Sequence, residues 1–509
     1  MTISNKDLVT KYFVKQANGD WKCRCGKARK MGNGWNNLLD HINRDHSDSV
    51  QEARSSANST VSSFFRKKET NLFNWIQWVV EDLLPFSFCE NSNTRKFTKL
   101  EPVTVKTLKL NMSHLSELVR NKIRNLLPSQ FAIVFDGWTD CSTHFLAVFA
   151  VFPDKDQQTG YNKALLSFFP LADETSLDAD SHHESIYDVL QQFGKDFSNI
   201  ACIIGDNCAL NKSLAKKCKS YLVGCASHRL NLGVQKFLSY YSDLIDSVRA
   251  IMVSLRKIKN RAALKELTPL SPVLDNATRW SSKYQMLSRY SEILQFVESI
   301  VPRKLQLSPG DNDKIEKLLK KLSQLEILTK FLQSEERNLY EVREAFDQTI
   351  KLFECLSDHC SAKASIVCDP IFESAICKIQ EHQVFNESLQ LTPAESRCVQ
   401  HLKAPVDVIA VDASNEGCSE SECDEMESIL QNVKRAKIER ASRYIDCRFI
   451  RPTSNMCERL FSLSKLALSD QRKSLLPENV EMQLFLKLNN HLWDMDLFQS
   501  ELLQPTDLS

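Results

Sequence analysis

The sequence predicts a mixed α/β core that gives way to a long all-helical stretch, with a small Cys/His-rich module in front. Three observations predict this. Apolar runs of strand length (FAIVF, THFLAVFAVF, ALLSFFPLA, IACIIG and YLVGCA) fall between residues 131 and 226, the later ones separated by helical stretches. From about 228 to 405 the strand pattern stops and apolar residues recur at three- and four-residue steps. Before residue 50, Cys23, Cys25, His41 and His46 sit in a basic segment.

The chain has 509 residues, room for roughly two to four domains. It is 42% hydrophobic and 25% charged, the balance of a soluble globular protein. No apolar run reaches the roughly 18 residues that span a bilayer, so a membrane class is excluded. The N-terminal MTISNKDLVTKYF lacks the basic-then-apolar layout of a secretory signal. The 17 cysteines are scattered, which predicts reduced core thiols in a cytosolic or nuclear protein. Net charge is +1, but residues 1–70 carry a net of +6, residues 412–427 hold seven acids and no base, and 434–451 turn basic again. Clustered positive charge suits phosphate contact, and it also suits an ordinary solvated surface.

Taken in chain order, the Cys/His module comes first. Two thiolates and two imidazoles suit a tetrahedral structural zinc ion. The histidines fall on a predicted helix and are expected to share a face. Trp21, Leu38 and Leu39 supply a small apolar core, and the metal is expected to contribute most of the folding free energy. The Cys-x-Cys turn is tight, and Gly26 eases it. Lys22, Arg24, Lys27, Arg29 and Lys30 surround the cluster as candidate DNA contacts.

QEARSSANSTVSS reads as a linker, and a helix with Leu72, Ile76, Val79, Val80 and Leu83 at helical spacing follows, ending near Pro85. The first three strands read as an antiparallel meander. A helix over 183–195, a fourth strand, a helix, a short fifth strand and another helix follow, which predicts a mixed sheet with helices on its faces. KIEKLLKKLSQLEILTKFLQSEER places Ile315, Leu318, Leu322 and Leu325 on one helical face, the core face of a bundle. DASNEGCSESECDEMES reads as a disordered connector. The closing helix has Pro477 in its first turn and Val480, Leu484, Phe485, Leu488 and Leu492 on one face.

Three acids stand out against this frame. Asp136 is expected to end one apolar strand and is followed by Gly137; Asp206 ends another and is preceded by Gly205. Glu458 lies four residues after Ser454, a candidate helix cap. Its neighbours at helical steps are Ser454, Ser462 and Lys465, a polar face, while Cys457, Leu460 and Phe461 face inward. Three carboxylates fit hard divalent cations, and a pair of Mg²⁺ ions there would serve phosphodiester chemistry without a general-base histidine.

The Cys/His module, FDGWTD, IIGDN, GCASHRLNL, the TRW at 278–280 and SNMCERLFS…LLPENVEMQLFLKLNNHLW occur in an order that resembles hAT-superfamily DNA transposases with an N-terminal BED-type zinc finger. The resemblance runs from about residue 12 to 493. It implies an RNase H-like core interrupted by an all-helical insertion. It also implies a DDE triad of Asp136, Asp206 and Glu458 that uses Mg²⁺ or Mn²⁺ to nick element ends, form hairpins on flanking DNA and transfer strands. Cys225 and His228 match the family's Cys-x-x-His signature, as metal ligands or as a buried thiol and a capping imidazole. Trp280 matches a tryptophan associated with a flipped base, and it reads equally as a core residue; Arg279 beside it could hold a phosphate.

The domains so implied are a zinc finger over 1–50, a linker over 51–70, a helical DNA-contacting region over 71–130 and the first part of the core over 131–230. The helical insertion spans 231–411 and an acidic linker 412–433. The second part of the core, with C-terminal dimerisation helices, spans 434–498. The implied setting is the nucleus, the partner double-stranded DNA, and the state a homodimer or higher oligomer. A domesticated, non-catalytic DNA-binding protein is the alternative.

Overall fold

The computed structural model describes residue 9 and residues 12–16, 20–30, 35–46, 67–140, 143–154, 160–171, 178–276, 279–386, 388–404, 443–468 and 476–500. Of the linker predicted over 51–70, residues 51–66 lie outside them while 67–70 are helical; the acidic connector and the basic stretch 434–442 also lie outside them. The chain divides into two units, one formed by Met1–Leu115 with Trp493–Ser509 and one by Ser116–Leu492.

In the first unit, β1 (Phe13–Lys15), β2 (Trp21–Cys23) and β3 (Ala28–Arg29) form an antiparallel sheet in the register Phe13↔Cys23 and Trp21↔Arg29. Helix α1 (Asn36–Asp45) follows. Leu38 and Ile42 of α1 are buried with Val9, Tyr12, Phe13 and Cys23, while Trp21 and Leu39 are only partly covered. Helix α2 (67–81) buries Trp75, Ile76, Val79 and Val80. It closes where Leu83 adopts a positive φ of 49°. Phe73, rather than the expected Leu72, lies on its buried side, with its ring 5.6 Å from Trp493 and 5.8 Å from Phe498. A short helix α3 (Ser92–Phe97), capped by Asn91, and the start of α4 (Val105–Leu126) complete the unit.

The second unit is built on a five-stranded sheet: β4 (Phe131–Asp140), β5 (Thr143–Pro153), β6 (Tyr161–Pro170), β7 (Ile200–Gly205) and β8 (Leu222–Gly224), in the order β6-β5-β4-β7-β8. The first three strands form the predicted meander; β7 joins β4 in parallel and β8 joins β7 in parallel. Continuous burial of Phe131–Phe135 and of β7 follows from helices covering both faces. This is the mixed, RNase H-like core, with α5 (Ala179–Gln192), α6 (Ala209–Lys217) and α7 (Ala226–Ser239) between and after its later strands. Helix α5 begins four residues before the expected start because Asp178 accepts the backbone N–H groups of Asp180 and Ser181.

One expectation about β4 is corrected. Asp136 does not end the strand, because the hairpin with β5 continues to Asp140↔Thr143. The parallel pairing with β7, however, stops at Val134↔Ile204. Asp136 and Asp206 each lie two residues beyond that last rung, so both emerge at the same edge of the sheet.

The helical stretch packs α8 (Ser242–Leu255), α9 (Ile258–Leu267), α10 (Trp280–Ile300), α11 (Pro309–Gln333) and α12 (Leu339–Leu352) around one core. Ile315, Leu318, Leu322 and Leu325 are buried in it as predicted, together with Leu328 and Leu332. The later part of this stretch returns to the sheet. Asp369, just before α13 (Pro370–Phe385), accepts the N–H of Leu222 at 2.8 Å, Glu373 accepts that of Gly224 at 3.3 Å, and Tyr221 stacks on Phe372 at 4.3 Å. The β8 edge is thereby covered.

After the second part of the core enters, α14 (Asn455–Ala467) packs on β4 and β5, and α15 (Pro477–Leu488) packs on β6. Val480, Leu484 and Phe485 are buried, and the Asn489 side chain bonds both backbone groups of Leu165 at 3.0 Å. The apolar face of α15 therefore seals the β6 edge of its own chain. Among the described residues no helix is long and apolar enough to cross a membrane.

Candidate functional site

Two sites carry the chemistry, one in each unit. In the first, Cys23 lies in β2, Cys25 in the turn after it, His41 on α1, and His46 immediately after that helix. Contrary to the expectation drawn from their spacing, the histidines do not share the helix. The helix ends at Asp45, and the extended φ of −139° at His46 brings its ring back beside His41, 5.3 Å between centroids. Gly26 takes a φ of 90° and donates to the Cys23 carbonyl at 2.8 Å, which makes the Cys-x-Cys turn possible.

The four ligand atoms lie within 4.8 Å of one another. Cys23 Sγ is 3.3 Å from His46 Nε2, and Cys25 Sγ is 3.4 Å from His41 Nε2. Ordinary zinc–sulfur and zinc–nitrogen bonds around a tetrahedral ion give edges of about 3.5 Å, so the set fits zinc. Asp45, four residues after His41, places Oδ2 at 2.8 Å from His41 Nδ1 and would orient that ring. Hydrogen bonds from Lys27 and Arg44 hold the Asp45 carboxyl well below its usual range. Sequence reasoning missed Asp45, although its i,i+4 spacing from His41 was a usable signal. Lys22, Arg24, Lys27 and Lys30 are exposed and Arg29 is half-buried; Lys27 is paired with Asp45 at 2.9 Å.

In the second unit, Asp136, Asp206 and Glu458 line one cavity of about 500 Å³, shared with Gly137, His228, Asn231, Arg279, Trp280, Gln333 and Asn455. The sheet supplies the two aspartates. Helix α14 supplies Glu458 by burying Cys457, Leu460 and Phe461, with the Phe461 ring stacked 6.0 Å from Trp138. Ser454 sits at the N-cap as expected but makes no side-chain cap bond and is itself buried, so it does not belong to the polar face. Its N–H instead points at the buried Cys225 Sγ at 3.4 Å.

The electrostatics couple these groups. Burial first, then Asp206 and then Glu458 push the Asp136 carboxyl up to about 7, against the Gly137 N–H that donates to its Oδ1 at 2.9 Å. Asp206 Oδ2 lies 3.0 Å from His228 Nδ1, and this bond raises the imidazole above its ordinary value. His228 thus serves as the partner of an acid and not as a helix cap. Cys225 is pushed up to about 12 by burial and by Asp206, which suits the buried-thiol reading of the Cys-x-x-His pair. Glu458 Oε2 lies 2.8 Å from the Arg279 guanidinium. Trp280, only 3% exposed, belongs to the helical core while one side of it lines the cavity; its backbone N–H donates to Asn231 Oδ1 at 3.2 Å.

A carboxyl whose proton affinity is raised by burial and by two neighbouring acids fits a hard divalent cation, which would relieve that repulsion. Asp136, Asp206 and Glu458 are the residues that would hold it. Among the described residues, though, only the Cys/His cluster brings three or more ligands within 4.8 Å of one another, so the acids line the cavity without closing to that distance.

Residues 223–320 match the family model of the ZBED1 RNase-like helical domain. No curated protein matches the chain. Among solved structures it is similar to the Drosophila P element transposase strand transfer complex, at 10% identity and a TM-score of 0.28, over 82% of this chain and 92% of that one. The family match falls on GCASHRLNL, TRW and the first part of the helical insertion, where motifs of the hAT resemblance also lie.

Proposed function

We propose that this transposase-derived chain binds double-stranded DNA in the nucleus and cuts and rejoins it in a reaction that depends on Mg²⁺ or Mn²⁺. Asp136, Asp206 and Glu458 act as the metal-holding acids. The observation that carries the reading is that residues from three distant parts of the chain line one cavity, where two carboxylates help push the third up to about 7. When bound, divalent metal would activate a water or a 3′-hydroxyl and stabilise the leaving oxygen. The protein's own part is to hold the three acids together at one edge of a rigid sheet. His228 orients Asp206, and the walls formed by Trp280 and Phe461 limit water. Zinc shapes the N-terminal module, whose exposed Lys22, Arg24, Lys27 and Lys30 contact phosphates. Arg279 meets a phosphate close to the acids. The chain works as a homodimer or larger homo-oligomer.

A second reading, a domesticated DNA-binding protein without cleavage, is favoured by one feature: two of the three acids already have basic side chains as partners, His228 on Asp206 and Arg279 on Glu458. The two readings separate on a supercoiled plasmid carrying the repeats that flank the coding region. With Mg²⁺ or Mn²⁺, the first expects nicked and linear product from the intact protein and background levels from Glu458→Gln. Tight binding without any cleavage by the intact protein would leave only the second.

A further inference from the structure

We propose that the turn leaving α11, residues 334–338, clamps the helix that carries Glu458, and that Arg459 is a positioning residue for that acid. The functional half of this proposal rests on reading Asp136, Asp206 and Glu458 as metal-holding acids. Apolar packing alone sets how deep α14 lies on the sheet, through Cys457, Leu460 and Phe461. It also turns Glu458 away from the sheet, but apolar contacts tolerate small slides and rotations of the helix, on which the exact direction of Glu458 depends.

Polar contacts with the helical insertion supply that setting. The Asn455 side chain donates to the Leu332 carbonyl at 3.0 Å, and Arg459 Nη1 donates to the Gln333 carbonyl at 3.2 Å. These are among the last carbonyls of α11, which have no partner within their own helix, and a cation at a helix C-terminus is favoured. Arg459 Nη2 also pairs with Glu335 Oε1 at 2.7 Å. Glu458 is thus flanked by two residues, three before and one after, that are both tied to the end of α11.

The other end of the clamp is anchored to the core. Glu335 Oε2 pairs with Lys163 of β6 at 2.6 Å, and its carbonyl accepts the Tyr161 hydroxyl at 3.0 Å. Arg451, 3% exposed, donates to the carbonyls of Glu335 at 2.6 Å and Arg337 at 2.5 Å, with its guanidinium 4.3 Å from the Tyr161 ring centroid. A charged side chain this buried stays only where its donors are satisfied, so the turn is held in one conformation. Thr329, Leu332 and Gln333 of α11 also line the acid cavity. The insertion therefore does more than interrupt the core: it sets the direction of the third acid, and anything that shifts α11 shifts Glu458.

The test uses the full chain with Arg459→Ala, Arg459→Lys and Glu335→Gln; the last removes the ion pairs but leaves the Glu335 carbonyl contacts. Hydrogen exchange over 455–462 should quicken in Arg459→Ala and Glu335→Gln and be largely restored in Arg459→Lys, with 477–488 unchanged. Mn²⁺ affinity, read by electron paramagnetic resonance, should fall by about 10–100-fold in Arg459→Ala, the usual effect of losing a residue that orients a ligand. Its melting temperature should hold, because the Arg459 side chain is about half exposed. Unchanged exchange over 455–462 in both the alanine and glutamine variants overturns the clamp. Unchanged Mn²⁺ affinity with altered exchange overturns the positioning role. If the intact protein binds no Mn²⁺ at the acids, the metal reading falls, and with it the positioning role, while the exchange data still decide the clamp.

Discussion

In the Cys/His module, four ligands lying between positions 23 and 46 come within 4.8 Å of one another; in the acid cavity, carboxylates from positions 136, 206 and 458 line about 500 Å³ without closing to that distance. The module buries only Val9, Tyr12, Phe13, Cys23, Leu38 and Ile42 as its core. The acids stand on a five-stranded sheet in which Phe131–Phe135 of β4 and all of β7 are buried. The difference teaches where the folding free energy comes from. So small a core would need a bound metal to hold the module together, whereas burial of the sheet brings the acids together, so that a metal there would relieve a cost already borne by the core.

The sharpest way to break this contrast is to remove metal from the module. Chelation, or Cys23→Ser, should cost on the order of 10 kcal/mol of metal-linked folding free energy. Zinc stoichiometry should drop to zero and exchange protection over 35–46 should vanish, while Ser116–Leu492 melts as before. A module that keeps its protection in chelator would put the two sites on the same footing.

The next largest effect is the pH response of the metal-free cavity. The folded Asp136 carboxyl sits at about 7 against an ordinary 3.8, so between those values the folded chain holds a proton that the unfolded chain has released. Stability should therefore fall as pH rises through that window. His228 acts in the same sense: its folded value is raised above 6.5, so its contribution is full below 6.5 and is lost as pH rises through the folded value. Asp136→Asn should flatten most of the slope and stabilise the chain at pH 8 by roughly 2–4 kcal/mol. Millimolar Mg²⁺ should do the same for the intact protein. Urea unfolding at pH 5 and pH 8 checks both, and equal slopes with and without Asp136 would be incompatible with a strained carboxylate cluster.

The smallest effect concerns Arg279. Its side chain is 56% exposed, so the pair with Glu458 contributes no more than about 1 kcal/mol and Arg279→Gln should leave the melting temperature nearly unchanged. Mn²⁺ should then bind several-fold more tightly, because a competing cation is gone, and DNA several-fold more weakly. A Mn²⁺ titration showing no gain would mean that Arg279 does not compete for Glu458.

Much of this was legible in the residues. Strand-length apolar runs, the helical face of Ile315, Leu318, Leu322 and Leu325, and the Cys/His set all came through, because each depends on local periodicity or short spacing. The misreadings have physical causes. Asp136 looked like a strand end because polarity begins there, yet hydrogen bonding with β5 carries the strand to Asp140. His46 looked helical, but the turn that closes the metal cluster ends the helix one residue earlier.

The sequence by itself determined which segments are strands and helices, which residues could ligate zinc, and which three acids to watch, since backbone geometry and side-chain chemistry act over a few residues. Only the tertiary structure decided what each acid faces: His228 beside Asp206, Arg279 against Glu458, and the end of α11 against the helix between them. Burial and Coulomb interaction depend on distance in space, and groups hundreds of residues apart acquire that distance only when the chain packs.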